Sequence, residues 1–200
     1  MEKTSSFLTG FFAMLVAAGL FSSAGPAQAA LIVGFQGPYD PVNWTLTTNG
    51  GDGSVDTSGA PGSITLVGSD SGTGTQIFTD FTTLAVGDGL VSFSWDFTTV
   101  DIAFWDRFGY LFDGTFTQLT DNVGGQSQSG SASFGVLAGQ TFGFRVVAVD
   151  DGNGRPQSTI SSFEAPSGSA AVPEPGTWAA AALLAGGAAF MRWRKRAKVA

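Results

Sequence analysis

Val91-Ser92-Phe93-Ser94-Trp95-Asp96-Phe97-Thr98 alternates apolar and polar side chains without a break. In an extended chain Val91, Phe93, Trp95 and Phe97 share one face. A helix would scatter them around its axis, so the period of two selects a strand with one buried side. Thr141-Phe142-Gly143-Phe144-Arg145-Val146-Val147-Ala148-Val149 repeats the pattern, with Phe142, Phe144, Val146 and Ala148 together. On either side, further strands are expected over residues 43–48, 63–67, 76–82, 109–112, 115–119, 131–136 and 159–164. Turn chemistry separates them: Asn49-Gly50-Gly51, Ala60-Pro61-Gly62, Asp70-Ser71-Gly72, Gly87-Asp88-Gly89, Gly124-Gly125 and Asp151-Gly152-Asn153-Gly154. Asp113-Gly114, between Leu111-Phe112 and Thr115-Phe116, predicts a tight hairpin. No stretch between residues 30 and 171 has a helical apolar period. About nine short strands of this kind predict an all-β domain, a jelly-roll-like β-sandwich. Thirteen of the eighteen Phe lie in it, enough aromatic volume to fill the space between two sheets.

The 200-residue chain has no Cys and no His, which excludes disulfides, thiolate nucleophiles, imidazole bases and His- or Cys-ligated metals. No G-x-S-x-G elbow, P-loop or dinucleotide-binding glycine pattern is present. A glycoside hydrolase needs two carboxylates at a set separation. Asp96, Asp101, Asp106 and Glu164 are the acids at hand, and no local pattern marks a pair. The expectation is a protein that is not an enzyme. Residues 30–171 hold three arginines (Arg107, Arg145, Arg155), no lysine and fourteen acidic residues, a net charge of −11. Such a surface repels nucleic acid and anionic lipid, so neither is an expected partner of the domain.

The two ends read as addresses. Lys3 precedes an apolar stretch through Phe11-Phe12-Ala13-Met14-Leu15-Val16, and Gly25-Pro26 leads into Ala27-Gln28-Ala29. That order predicts a helical signal peptide over residues 1–29, read by Sec-type export machinery. Ala27 and Ala29 fit the small pockets of a signal peptidase, with cleavage before Ala30. At the other end, an apolar helix is expected over residues 177–193, with Trp178 and Trp193 near its ends. Between those tryptophans it measures roughly 24 Å, slightly short of the ~30 Å hydrocarbon core. A basic tail over residues 192–198 follows, with Arg192, Arg194, Lys195, Arg196 and Lys198. Tryptophans at both interfaces and a cytoplasmic basic cluster predict a single transmembrane, stop-transfer helix with the sandwich outside. Residues 167–171, rich in Ser, Gly and Ala, form a flexible spacer from a domain over residues 30–166.

Val172-Pro173-Glu174-Pro175-Gly176, a short membrane span and an Arg-rich tail resemble the PEP-CTERM sorting signal, here over residues 172–198. The resemblance implies recognition by an exosortase, which would cut near Pro173-Glu174-Pro175 and discard helix and tail. It also implies a Gram-negative, often exopolysaccharide-producing host, an intermediate anchored in the inner membrane, and a final place at the cell surface or in the extracellular matrix. Pro173 and Pro175 keep the backbone extended above the membrane, and Glu174 supplies a charge to recognise. Residues 93–166 are similar to the β-sandwich ectodomains that often precede such tails, through Gly109-Tyr110-Leu111, Phe116-Thr117-Gln118-Leu119, Gly143-Phe144-Arg145 and Thr159-Ile160-Ser161-Ser162-Phe163. That second resemblance implies a fold and a setting, with no known activity.

Two clusters are candidates for ligand chemistry. Asp150, Asp151 and Asn153, interleaved with glycines, offer the oxygen ligands that Ca²⁺ takes, the one cofactor candidate of the chain. They equally suit an ordinary turn, since no glutamate closes an EF-hand loop. Asp96, Asp101 and Asp106 surround Ile102-Ala103-Phe104-Trp105, where Trp105 would serve as a stacking platform for a sugar, or fold back with Phe108 onto the sandwich. The expected role is structural or adhesive, through extracellular polysaccharide. The alternative is a calcium-assisted carbohydrate-binding module, and a polysaccharide-acting hydrolase is the third reading.

Overall fold

The alternating stretch at 91–98 lies in the middle of a sheet, and its partners follow from the same alternation. A computed structural model describes residues 30–168. The expected signal-peptide and sorting-signal helices, with Ala27, Ala29, the Val172–Pro175 motif and the basic tail, lie outside the described residues. Among the described residues no helix is long and apolar enough to cross a membrane.

Eleven strands form: β1 (Leu31–Val33), β2 (Thr45–Thr47), β3 (Ser54–Asp56), β4 (Ser63–Val67), β5 (Ile77–Leu84), β6 (Gly89–Thr98), β7 (Asp106–Phe112), β8 (Thr115–Gln118), β9 (Ser127–Val136), β10 (Thr141–Ala148) and β11 (Gln157–Pro166). One sheet runs β3-β4-β11-β6-β9, with β1 also on β11; the other runs β2-β5-β10-β7-β8. Every pairing is antiparallel. From β4 to β11 each step crosses between the sheets, except the β7–β8 hairpin. That is the jelly-roll order of two Greek keys. The hairpin turns on Asp113 and Gly114, both with positive φ (45° and 80°), the requirement of a type I′ turn.

All nine expected strands are present, β4 with the expected ends and the other eight with shifted ones, while β1 and β3 add two that the alternation did not predict. The strand expected over 43–48 shrinks to Thr45–Thr47, because Pro41–Asn43 forms a 3₁₀ turn. With a second turn at Gly37–Tyr39, this segment drives Phe35, Tyr39 and Trp44 into the core. Trp44 stacks on Phe81 (5.1 Å) and Phe144 (5.6 Å), and Phe35 stacks on Phe163 (4.6 Å). The polar atoms of these buried aromatics are satisfied. Tyr39 Oη donates to Pro166 O at 2.8 Å and accepts from Val86 N–H at 3.2 Å, and Trp44 Nε1 donates to Tyr39 O.

Phe163 reaches this core only through a fault in its strand. Ser158 and Ile160 face inward from β11, as do Phe163 and Ala165, so the inward parity changes between Ile160 and Phe163. The register on β6 slips by one residue between Ser161 and Glu164, where Ser162 takes a left-handed φ of 48°. This is a β-bulge, and it reverses which side chains face the core. Phe163→Ala is expected to cost about 3–5 kcal/mol in urea unfolding. Deleting Ser162 removes the extra residue and restores strict alternation, with Ile160 inward, Ser161 outward and Phe163 inward, so Phe163 stays buried and the loss should be well below that of Phe163→Ala. A deletion variant as unstable as Phe163→Ala would refute the parity argument.

Candidate functional site

Strand direction gathers one set of loops at one end of the sandwich: residues 48–53, 68–76, 99–105, 119–126 and 149–156. The 99–105 loop, between β6 and β7, stands out. It leaves Val100, Ile102, Phe104 and Trp105 exposed while burying Ala103 beneath them. Phe104 (44% accessible) and Trp105 (37%) are the only exposed aromatic side chains among the described residues.

The loop is tied at several points. Asp101 N–H donates to Thr99 Oγ1 at 3.0 Å, Ile102 N–H to Asp101 Oδ1 at 2.7 Å and Trp105 N–H to Ile102 O at 3.0 Å. Val149 N–H donates to Trp105 O at 2.8 Å, and Gln126 Nε2 reaches Val100 O and Asp101 O. The Phe104 and Trp105 rings meet edge to face at 5.0 Å, with the Arg107 guanidinium 5.5 Å above Phe104. Of the two side chains expected either to stack or to fold back, Phe108 is fully buried in the core and Trp105 is not.

Beneath the loop sits a carboxylate without solvent. Asp106 is 0% accessible; Thr99 Oγ1 donates to its Oδ2, and its Oδ1 has no partner among the described residues. Burial first, then the nearby charges of Asp101, Asp150 and Asp70, push its pKa up to about 6 against the Thr99 hydrogen bond. A raised carboxyl is the signature of a general acid, but one sealed from solvent cannot meet a substrate. Of the other acids considered for a hydrolase, Asp96 lies exposed on the outer face of β6, and Glu164 lies beside Ser92 near the opposite end of that strand.

Of the three expected metal ligands, Asp150 and Asn153 are in hydrogen-bond contact and Asp151 is turned to other partners. Asp151 is buried, and its carboxylate accepts from Ser71 N–H (3.1 Å), Ser71 Oγ (2.6 Å), Thr73 N–H (3.0 Å) and Thr73 Oγ1 (2.7 Å). Burial pushes the Asp151 carboxyl up, but the Ser69, Ser71 and Thr73 hydrogen bonds together hold it well below the usual range. Asn153 Nδ2 instead donates to Asp150 Oδ2 at 3.2 Å. Among the described residues no group of three acidic side chains converges on a metal position. Next to Asp151, Asp52 joins the same brace. It accepts from Ser69 Oγ, Asp70 N–H and Arg155, and Arg155 with Asp70 N–H holds it down to about 2. Asp52, Asp151 and Arg155 thus lash three loops together, a role that no local motif announces. Arg145 is likewise occupied, clamped by both oxygens of Asp80 at 2.6 Å and lying 3.9 Å over Phe78.

The pH dependence follows from these shifts. Asp106 binds its proton more tightly folded than unfolded, so its stabilisation is complete below the ordinary value of 3.8 and lost as pH rises towards about 6. Asp52 and Asp151 act oppositely, their contribution present above the ordinary value and lost as pH falls below it. Stability from these groups should therefore peak near about pH 4. Asp106→Asn should raise stability at pH 7 by about 2–3 kcal/mol and give no gain at about pH 4, where the wild-type carboxyl is already neutral. Equal effects at both pH values would contradict the buried-acid assignment. Asp151→Ala should cost about 2 kcal/mol or more, equally in Ca²⁺ and in chelator. A loss seen only in Ca²⁺ would make Asp151 a ligand.

No family model and no curated protein matches the chain. Among solved structures, it is similar to a family 35 carbohydrate-binding module from Clostridium thermocellum, at 10% identity over 66% of this chain and 98% of that one, with a TM-score of 0.37. It is also similar to the module CBM6cm-2 from Cellvibrio mixtus lichenase 5A, in complex with cellotriose, at 10% identity over 70% and 98%, TM-score 0.34. A secreted serine protease from Vibrio cholerae is similar at 12% identity over 61% of this chain and 25% of that one, TM-score 0.37. At these scores the jelly-roll assignment rests on the strand order of the chain itself.

Proposed function

We propose that the chain is an exported, non-catalytic surface or matrix protein whose β-sandwich holds extracellular polysaccharide through its 99–105 loop. One observation carries this reading: Phe104 and Trp105 stay exposed on a loop whose backbone is tied by hydrogen bonds at Thr99, Asp101, Ile102 and Trp105, in a domain that draws its other aromatic rings into packing. The face of a sugar ring presents C–H groups, and a rigid exposed aromatic ring is the protein surface that complements it. Rigidity matters because little loop entropy is lost on binding. The cellotriose complex of the similar module from Cellvibrio mixtus is compatible with this ligand class, and the proposal stands on the loop. A calcium-assisted version would require Asp151 to exchange its four hydrogen-bond donors for an ion.

The ends supply the setting. Export through the signal peptide, transient anchoring by the 177–193 helix and exosortase cutting near Pro173-Glu174-Pro175 would deliver the sandwich to the cell surface or matrix. Trp105→Ala and Phe104→Ala should each weaken binding to the producing cells' exopolysaccharide by about tenfold in affinity electrophoresis, with melting unchanged. Retention that ignores both substitutions would remove the loop as the site. In an exosortase-containing host, Glu174→Ala should leave the tail attached in isolated membranes, whereas the wild type loses it. A wild type that keeps its tail would overturn the sorting assignment.

A further inference from the structure

The sandwich has five strand edges, and four are short: β1, β2 and β3 have three residues each and β8 has four. Short edges are one way natural sheets avoid pairing with other chains. The fifth edge, β9, is different. It runs ten residues, Ser127-Gln128-Ser129-Gly130-Ser131-Ala132-Ser133-Phe134-Gly135-Val136, in unbroken register with β6. It contains no Lys, no Pro, no acid and no bulge, the remaining devices that blunt an edge. Among the described residues its backbone hydrogen-bonds only to β6, so alternate residues turn N–H and C=O away from the sheet. Gly130 lies against the Trp95 ring, where a Cβ would make a tight 3.1 Å contact, so packing underneath favours the glycine.

We propose that β9 is a docking edge for β9 of a second copy of this chain, paired antiparallel about a two-fold axis through Ser131, so that two six-stranded sheets become one. Two observations select a second copy over another partner. The first is charge. Residues 30–171 carry −11, and two copies can approach closely only where neither presents acid, which β9 satisfies along its whole length. The second is self-complementarity. Antiparallel pairing places residues of the same face opposite one another, and centring on Ser131 sets Ser129 against Ser133 and Gly130 against Ala132. Around the axis hydroxyl therefore meets hydroxyl on the outer face and small meets small on the inner one, while farther out Gln128 meets Phe134 and Ser127 meets Gly135.

The test uses the full chain in detergent, with mass followed by light scattering across a dilution series. Wild type should show a concentration-dependent dimer. Ser131→Lys and Ser131→Asp each place like charges opposite themselves at the axis, and each should raise the dimer dissociation constant roughly tenfold while melting stays unchanged. Mixed together, the two variants should recover a heterodimer at least as tight as wild type. All samples share both apolar termini, so association driven by those segments would be unmoved by either substitution, and that result would overturn the proposal. A wild type that stays monomeric throughout would overturn it as well.

Discussion

The contact between Phe163 and Phe35, stacked at 4.6 Å, depends on Ser162 being bulged out of the β11 ladder, and much of the core depends on that contact. Phe163 also meets Tyr39, Trp44, Phe142 and Phe144, so one ring joins β11, β10 and the turn segment before β2. The chain has no Cys, and its sheets are held across the gap by rings instead of disulfides. The scale of the terms supports this order. A buried phenylalanine contributes about 3–5 kcal/mol on truncation, far more than an exposed, water-screened ion pair such as Arg155–Asp52. The bulge at Ser162 therefore matters more than any surface charge.

At the loop end the balance differs, because little apolar area is available to fix the 68–76 and 149–156 segments. Asp151 does this with a saturated set of donors, and Asp52 adds Arg155 as a cross-brace. Each carboxylate is stabilised in its charged form by what it holds. Asp106, the residue next to the exposed aromatic loop, is in the opposite condition, with desolvation dominating and Thr99 as its one hydrogen-bond donor among the described residues. The sandwich thus tolerates one costly buried acid next to a loop that must stay rigid while remaining exposed.

The fold was legible because a two-residue period is local: Val91 to Phe97 and Phe142 to Ala148 face the core as their alternation requires. β1 and β3, with three residues each, are too short to show a period, and their pairing is decided by β11 and β4. Phe35, Tyr39 and Trp44 were illegible for another reason: turns carry no period, so nothing local distinguishes a buried aromatic there from an exposed one. The first half of β9 escaped because Ser, Gln and Gly have low strand propensity, and the β6 ladder overrides it. Asp151 shows the same limit at the site. Its partners Ser71 and Thr73 lie about eighty positions earlier in the chain, so sequence marks the acid but not its use. Trp105 was recognisable as a candidate, since a tryptophan between acids in a loop is unusual, but its exposure could be decided only by how the loop is tied.

The direction of β9 determines what a paired molecule could do. The 99–105 loop lies at the end where β9 begins, because Thr98 pairs with Ser127. In an antiparallel pair the partner's β9 begins at the far end, about 30 Å away for ten residues. The two aromatic tips would then point in opposite directions along the joined sheet. Such an arrangement cannot place both tips side by side on one short stretch of glycan, so pairing would not tighten binding to a single oligosaccharide. It would connect separate strands, and in a gel of long chains each weak contact would be multiplied by the number of bridges. A modest aromatic tip and a long uncharged edge are individually weak features, but their geometry makes them the two halves of a cross-link.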